Sequence, residues 1–261
     1  MGILNVTPDS FSDGGQFEER SAAVAHGVEM RDQGATLVDV GGESTRPGAH
    51  RVDPAEEQRR VLPVISELVA EGVPVSVDTM NAETARAAAG AGASVINDVS
   101  GGLADPGMYR AVAETGLTYV AMHWRDLSHD MDAVATYGDV VADVRGELTS
   151  RLAELTAAGV RPERVILDPG LGFAKRPEHN WQLLARLDEV MSLGHPVLIG
   201  ASRKRFLAPW GAQPAQRDEA TAIVSALAAR AGVWGVRVHD VAATRAALEI
   251  AEMWKTGETP Q

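Results

Sequence analysis

Three side chains that could bind a polar ring, Asp78, Asn97 and Asp168, each come directly after a short apolar run. Such a run, closed by a polar residue before a loop, is typical of a buried parallel strand. A carboxylate in that position is costly unless something pairs with it. Because carboxylates make paired, charge-assisted bonds to an N–H edge, the three together predict a site for a flat heterocycle with an amidine-like edge. Singly, each could equally be a buried polar group bonded to the backbone.

A second set of side chains is basic. The chain has 24 Lys and Arg residues against 36 Asp and Glu, a net charge of −12, and such an acidic surface repels nucleic acid and acidic membranes. A lone arginine in a loop is usually a surface ion pair. Basic groups beside four different loops of so acidic a chain favour a local anion site instead, and they are Arg46, Lys204, Arg237 and His239.

The elements that would position these groups alternate regularly. Eight times along the chain, an apolar run is followed by a loop and then an amphipathic or Ala-rich stretch. This alternation is typical of βαβ units around a parallel sheet. Eight units in 261 residues favour a (β/α)8 TIM barrel that forms a single domain over residues 1–261. An open doubly wound sheet could carry the same alternation, but the number of units favours closure. In a TIM barrel, chemistry takes place at the carboxyl ends of the strands.

Two helices are predicted in more detail. Asp53, Pro54 and Glu56 stand where an N-cap, a first-turn proline and a capping-box acid would stand, which predicts the start of the second helix. Residues 178–192 are predicted to form one continuous helix after the sixth strand.

The composition excludes several classes of protein. The chain has no cysteine, which excludes disulfides and thiolate chemistry. No apolar run approaches the roughly 18 residues of a membrane span, and the N-terminus lacks the pattern of a secretory signal. We therefore expect a globular, cytoplasmic protein.

Two further motifs have a plain interpretation. Gly170, Gly172 and Lys175 could form a phosphate loop, but their spacing is neither the dinucleotide fingerprint nor a Walker A loop, so we expect a tight turn. Four acidic and histidine residues of one polar loop could bind a metal, but in an acidic loop we expect them to be solvated; they are Asp126, His129, Asp130 and Asp132.

Seven segments of the chain resemble dihydropteroate synthases, a family of pterin-binding enzymes. They extend nearly from end to end of the sequence and are Gly2–Gly15, Val40–Gly48, Ser76–Met80, Ile96–Gly102, Leu167–Phe173, Gly200–Lys204 and Val236–Asp240. The resemblance implies a TIM barrel that joins 6-hydroxymethyl-7,8-dihydropterin diphosphate to 4-aminobenzoate. The products would be 7,8-dihydropteroate, on the folate pathway, and pyrophosphate. It also implies Mg²⁺ as the cofactor, a homodimer assembled through the last helices, and a target of sulfonamides.

The resemblance further implies roles for single residues. The pterin ring would be bound by Asp78, Asn97, Met122, Asp168, Lys204 and Arg237. The aminobenzoate pocket would contain Thr45, Arg46, Pro47, Phe173 and Lys204. The diphosphate would be bound by Asn5, Arg237 and His239, and Asn5 would also bind Mg²⁺. The catalytic residues would be Asp13, Arg46 and Lys204. One departure from the family is Arg205, which stands where a serine is common and leaves the contact to the aminobenzoate carboxylate open.

The implied reaction needs little base catalysis, because an arylamine is already neutral at pH 7. We therefore expect a dissociative displacement in which Mg²⁺ and basic side chains stabilise the departing pyrophosphate, while Asp13 stabilises the positive carbon. Two alternatives are a methyltransferase barrel that uses methyltetrahydrofolate with a corrinoid partner, and a catalytically silent pterin-binding homologue. Release of pyrophosphate on mixing both substrates would separate the three.

Overall fold

A computed structural model of the chain describes residues 1–6, 15–43, 51–125 and 134–258. Within these ranges parallel strands and helices alternate, as the sequence predicts. No helix in the described part is long and apolar enough to cross a membrane.

In the described part of the chain, eight short parallel strands line the centre of the molecule. They are β1 (Gly2–Asn5), β2 (Val38–Gly41), β3 (Val75–Asp78), β4 (Val95–Asp98), β5 (Thr118–Met122), β6 (Val165–Asp168), β7 (Leu198–Ile199) and β8 (Gly235–Val236). Strands β1 to β6 form one sheet in sequence order, and β7 pairs with β8. Two further parallel bridges, Leu167 to Val197 and Gly2 to Val238, connect β6 to β7 and β8 to β1. The strands therefore surround a closed centre, which confirms the (β/α)8 barrel.

The helices pack outside the strands. They are α1 (Gly15–Asp32), α2 (Pro54–Ala70), α3 (Ala82–Gly90), α4 (Met108–Thr115), α5 (Val140–Ala157), α6 (Pro177–Ala185), α7 (Leu187–Met191), α8 (Asp218–Ala231) and α9 (Val241–Thr256). Asp53 is the N-cap of α2, because its Oδ1 accepts from the N–H of Ala55 at 2.9 Å. Glu56 pairs with Arg60 at 2.6 Å, so only the cap and the first-turn proline of the predicted motif are confirmed.

The prediction of one helix over residues 178–192 is wrong. The chain forms α6 and α7, which are separated at Arg186 by a non-helical backbone (φ −120°, ψ 36°). Arg186 reaches across to Asp139, the N-cap of α5, at 2.9 Å and also pairs with Glu189 at 2.7 Å. A long-range ion pair therefore accompanies the break. No proline or glycine at this position predicts the break from the sequence.

The centre of the barrel has an apolar layer and a polar layer. Five buried side chains form the apolar layer, against which Met1 packs: Leu37, Val95, Val120, Ile166 and Leu198. Two residues further along the same strands come Asp39, Asn97, Met122, Asp168 and Gly200. Because side chains alternate along a strand, residues two apart share a face. The polar residues therefore lie above the apolar layer, at the carboxyl ends of the strands.

Candidate active site

The predicted ring-binding residues lie at one level of the barrel. In the strand register Asn5 is opposite Gly41, Gly41 is opposite Asp78, and Asp78 is opposite Asn97. On the other side of the barrel Met122 is opposite Asp168. The side chains of Asp78, Asn97, Met122 and Asp168 are all buried. The site residues therefore come from separate strands and meet at the same end of the molecule, which is what strand ends in a barrel require.

One half of this level is held together by side chains alone. The Nε of Arg237 donates to Asp39 Oδ2 at 2.6 Å, and its Nη2 donates to Asp78 Oδ2 at 2.6 Å. The Nδ2 of Asn97 donates to the same oxygen of Asp39 at 2.9 Å. We call Asp39, Asp78, Asn97 and Arg237 the acidic half. Two carboxylates share one guanidinium, so this half carries a net charge of −1 when both are ionised.

The acidic half retains hydrogen-bonding capacity in spite of these pairs. Oδ1 of Asp39 and Oγ of Ser76 are buried and have no hydrogen-bond partner among the residues that the structure describes, and the two residues are neighbours in the register of β2 and β3. Burial raises the pKa of Asp78 to about 7, the Arg237 guanidinium opposes this rise, and the Asp39 carboxylate adds to it. The Asp78 carboxyl is thus poised to change its charge near neutral pH.

The other half of the level is built on the turn after β6. Asp168 Oδ1 accepts from the N–H of Gly170 at 2.7 Å. Gly170 has φ +69°, and a Cβ there would lie 2.2 Å from the carbonyl oxygen of His123, so only glycine fits. The expected tight turn is confirmed. Lys204 reaches this turn from the segment after β7 and donates to the carbonyl oxygen of Leu171.

Lys204 and Asp168 form the charged part of this second half. Burial lowers the pKa of Lys204 to about 8, and the Asp168 carboxylate opposes the shift. Burial raises the pKa of Asp168, and Lys204 opposes that rise. A Cβ on Gly200 would lie 3.7 Å from Asp168 Oδ2 and 3.8 Å from Lys204 Nζ, so both charged groups face the same glycine. We call Asp168, Lys204 and the turn of residues 170–173 the lysine half.

An apolar wall adjoins the two halves. Met80, Val99 and Met122 form a small buried cluster, and Phe173 and Trp124 pack against it. The ammonium of Lys204 lies 4.5 Å from the centre of the Phe173 ring, a cation–π distance. Met122 and Phe173 therefore share one wall beside the polar groups.

The two halves are electrostatically coupled. Lys204 and Arg237 each interact with both carboxylates, Asp78 and Asp168. Asp78 forms a salt bridge with Arg237. Because Arg237 is itself one of the predicted ring-binding residues, this pair belongs to the predicted site. The arrangement can hold a flat ring with donors on one edge and acceptors on another.

The predicted diphosphate residues lie beside the acidic half. Asn5 ends β1, and β1 is bridged to the end of β8 by the bond from Ile3 N–H to the Val238 carbonyl at 2.9 Å. His239 follows directly, and its N–H donates to Ser202 Oγ at 3.1 Å. The same hydroxyl lies 2.8 Å from Nδ1 of His239. Donation from Ser202 to Nδ1 would leave the imidazole proton on Nε2.

This geometry agrees with known proteins. The sequence model of the pterin binding enzyme family matches residues 1–239. Dihydropteroate synthase of Mycobacterium leprae is 52% identical, over 97% of this chain and 92% of that protein. The Xanthomonas albilineans dihydropteroate synthase in complex with 7,8-dihydropteroate has a TM-score of 0.89 at 43% identity, over 100% of this chain and 94% of that chain. The Yersinia pestis dihydropteroate synthase in a sulfonamide drug complex has a TM-score of 0.92 at 41% identity, over 98% and 94%. The chain belongs to the dihydropteroate synthase family of pterin-binding enzymes.

Membership of this family confirms the sequence-based assignment. The chain is a transferase of alkyl or aryl groups with dihydropteroate synthase activity. The similarity to the related enzymes extends over nearly their full length. Arg205, the departure from the family pattern, is exposed at the start of a short 3₁₀ helix, Arg205–Trp210.

Several predicted residues of this dihydropteroate synthase site lie outside the described ranges. They are Asp13, Thr45, Arg46 and Pro47, together with the acidic-loop residues Asp126, His129, Asp130 and Asp132. Within the described ranges, no group of three or more His, Cys, Asp and Glu side chains could hold a metal ion.

Two groups that contact the predicted site residues were not predicted from the sequence. Asp39 joins Arg237 to Asn97 but lies inside a strand, where no loop marks it; the available signal was a charge within an otherwise apolar run. Lys175, 5% exposed, lies against the turn of the lysine half. Its only signal in the sequence is its place at the end of the glycine-rich segment.

Proposed function

We propose that the two halves of the site together bind the pterin ring. Carboxylate and amide oxygens of Asp78, Asn97 and Asp168 accept from its amidine-like N–H edge, and Lys204 donates to its oxygen-bearing side. Arg237 covers a ring face, and Met122 packs against the ring. The single observation that supports this proposal most is the common level of three buried polar strand ends, those of Asp78, Asn97 and Asp168, above an apolar floor.

We further propose that aminobenzoate binds on the outer side of the lysine half. Phe173 is half-buried, lies under the Lys204 ammonium and shares an apolar wall with Met122. An aromatic ring can pack against this wall while Lys204 attracts the carboxylate. Thr45, Arg46 and Pro47 complete the pocket in this proposal, on the strength of the family resemblance alone.

Displacement of pyrophosphate from the methylene carbon then depends on positioning and charge. Arg237 and His239 face the diphosphate and stabilise its departure. On the strength of the family resemblance alone, Asp13 stabilises the positive carbon and Arg46 also takes part in catalysis. The neutral arylamine attacks without a covalent enzyme intermediate. Asn5 would hold Mg²⁺, because an amide oxygen suits this cation, and an ion that keeps waters and substrate phosphates needs few protein ligands. When bound, Mg²⁺ stabilises negative charge on the leaving group.

The reaction is tested by mixing pterin diphosphate, Mg²⁺ and aminobenzoate with the protein and measuring pyrophosphate and dihydropteroate. We expect one pyrophosphate for each dihydropteroate. Arg46→Ala should raise the aminobenzoate KM or lower kcat while pterin diphosphate affinity stays nearly intact. Pterin binding without pyrophosphate release would instead support a silent homologue, and methyl transfer from methyltetrahydrofolate would support the methyltransferase alternative.

We also propose that the protein is a cytoplasmic homodimer, with the whole chain acting as one domain. Helices α8 and α9 pack on each other and expose apolar side chains four residues apart, Ile223 and Leu227 on α8 and Ile250 and Trp254 on α9. Such a stripe supports an interface between copies. Sedimentation should give a dimer for the wild type and for Leu103→Glu, whose exposed side chain lies outside these helices, and a monomer for Leu227→Glu.

A further inference from the structure

Lys175 is a buried lysine to which the proposed binding of the two substrates gives no role. Its side chain is 5% exposed, and its Nζ lies 2.8 Å from Nδ1 of His123 and 3.1 Å from the carbonyl oxygen of Phe173. A buried ammonium is costly unless it is paired and hydrogen-bonded. The contact to Phe173 therefore joins a costly group directly to the turn of the lysine half.

The histidine contact extends to the protein surface. Nε2 of His123 lies 2.9 Å from Oε2 of Glu147, a half-exposed carboxylate that Arg125 also pairs with at 2.5 Å. When His123 Nδ1 accepts from Lys175, its proton is on Nε2 and is donated to Glu147. The chain from Glu147 through His123 to Lys175 thus supplies Lys175 with a fixed acceptor in addition to the Phe173 carbonyl.

The backbone beside Lys175 adopts a conformation that needs support. Ala174 has φ +47°, a left-handed conformation that non-glycine residues rarely adopt. The carbonyls on either side of this strained geometry are both bonded: that of Phe173 by Lys175, and that of Ala174 by the Tyr137 hydroxyl at 2.9 Å. Lys175 therefore holds the exit of the turn, while Lys204 bonds the Leu171 carbonyl near its entry.

We propose that Lys175 is a positioning residue that fixes the turn of residues 170–173 and thereby holds the Phe173 ring in place for aminobenzoate. The inference rests on the proposed aminobenzoate side of the site. Lys175 acts on the turn through the Phe173 carbonyl. Asp168 keeps its own bond from the Gly170 N–H and its interaction with Lys204, and each of these influences its charge more than the electrostatic interaction with Lys175 does. Loss of the Lys175 contact should therefore affect aminobenzoate more than pterin diphosphate.

The test is Lys175→Met, which keeps the length of the side chain and removes the donor. We expect the aminobenzoate KM to rise at least tenfold and the pterin diphosphate KM to change less than threefold, with an unchanged circular dichroism spectrum. Lys175→Gln keeps a shorter donor, so its aminobenzoate KM should lie between those of Lys175→Met and the wild type. It replaces Lys175→Met in the test if that variant does not fold. Lys255→Met, at the exposed end of α9, is the matched control and should leave both constants unchanged.

A rescue separates positioning from a general loss of structure. Glycine adopts a left-handed backbone readily. Ala174→Gly in the Lys175→Met background should therefore lower the aminobenzoate KM at least threefold relative to Lys175→Met alone. Equal rises in both KM values, no rise in either, or no recovery by glycine would overturn the inference. Phe173→Ala tests the underlying proposal separately, because an unchanged aminobenzoate KM in that variant would show that Phe173 does not contact this substrate.

Discussion

The two halves of the site stabilise their buried charges by different contacts. In the acidic half, Arg237 bridges two buried carboxylates, so side chains alone compensate one another. In the lysine half, Asp168 is bonded to a backbone N–H, and Lys204 donates to a backbone carbonyl. The acidic half is therefore a compact ionic cluster on strands, whereas the lysine half depends on the shape of a loop. We infer that substitutions in the acidic half should lower stability, and that those in the lysine half should mainly change binding.

The sharpest way to break this comparison is to remove the shared guanidinium. Arg237→Met leaves Asp39 and Asp78 buried without their partner, and breaking a buried pair in this way typically costs about 3–5 kcal/mol. Urea denaturation should therefore show a fall of that size in the free energy of unfolding. Arg245→Met, which removes an exposed pair with Glu249, should change it by less than about 1 kcal/mol. Similar losses in the two variants would contradict the claim that Arg237 compensates the buried charge of the acidic half.

The pH dependence of turnover should separate the halves next. Asp78, with a pKa of about 7, must be ionised to accept from the ring, so activity should be lost as the pH falls below 7. Lys204, with a pKa of about 8, must be protonated to attract anionic groups, so activity should be lost as the pH rises above 8. The profile of kcat/KM should be bell-shaped. The value of kcat/KM should fall about tenfold for each pH unit below 7 or above 8.

Lys204→Arg checks the assignment of the basic limb. Arginine stays protonated to above pH 12, so the fall above pH 8 should disappear while the fall below pH 7 remains. A fall above pH 8 that persists unchanged in this variant would assign the basic limb to another group.

The smallest expected effect is that of Glu147, which contacts Lys175 only through His123. Glu147 bonds His123 but is partly exposed, and surface pairs contribute little. Although burial alone would raise it, hydrogen bonds from His123 and Arg125 lower the pKa of Glu147 to about 2. Glu147→Gln should reduce the free energy of unfolding by less than about 1 kcal/mol and change the aminobenzoate KM less than threefold. An effect as large as that of Lys175→Met would mean that the surface carboxylate, and not the turn contact, carries the effect of Lys175.

The sequence predicts those parts of the site that the strand pattern determines. Asp78, Asn97 and Asp168 end apolar runs, so their convergence follows from the barrel. Asp39 could not be placed in the same way, because its role depends on Arg237, almost 200 positions away in the sequence. Lys175 and the break at Arg186 depend likewise on partners in other elements, His123 and Asp139. Local patterns determine which residues reach the rim, and tertiary packing determines how they pair.

The central claim is that buried acceptors from separate strands bind one pterin ring, and Asp168→Asn tests it most directly. Asparagine keeps the shape but presents one oxygen and a donor in place of two charged acceptor oxygens. Calorimetric titration with pterin diphosphate in the presence of Mg²⁺ should show a loss of about 2–4 kcal/mol of binding free energy. An affinity equal to that of the wild type, in a variant with unchanged stability, would contradict the account.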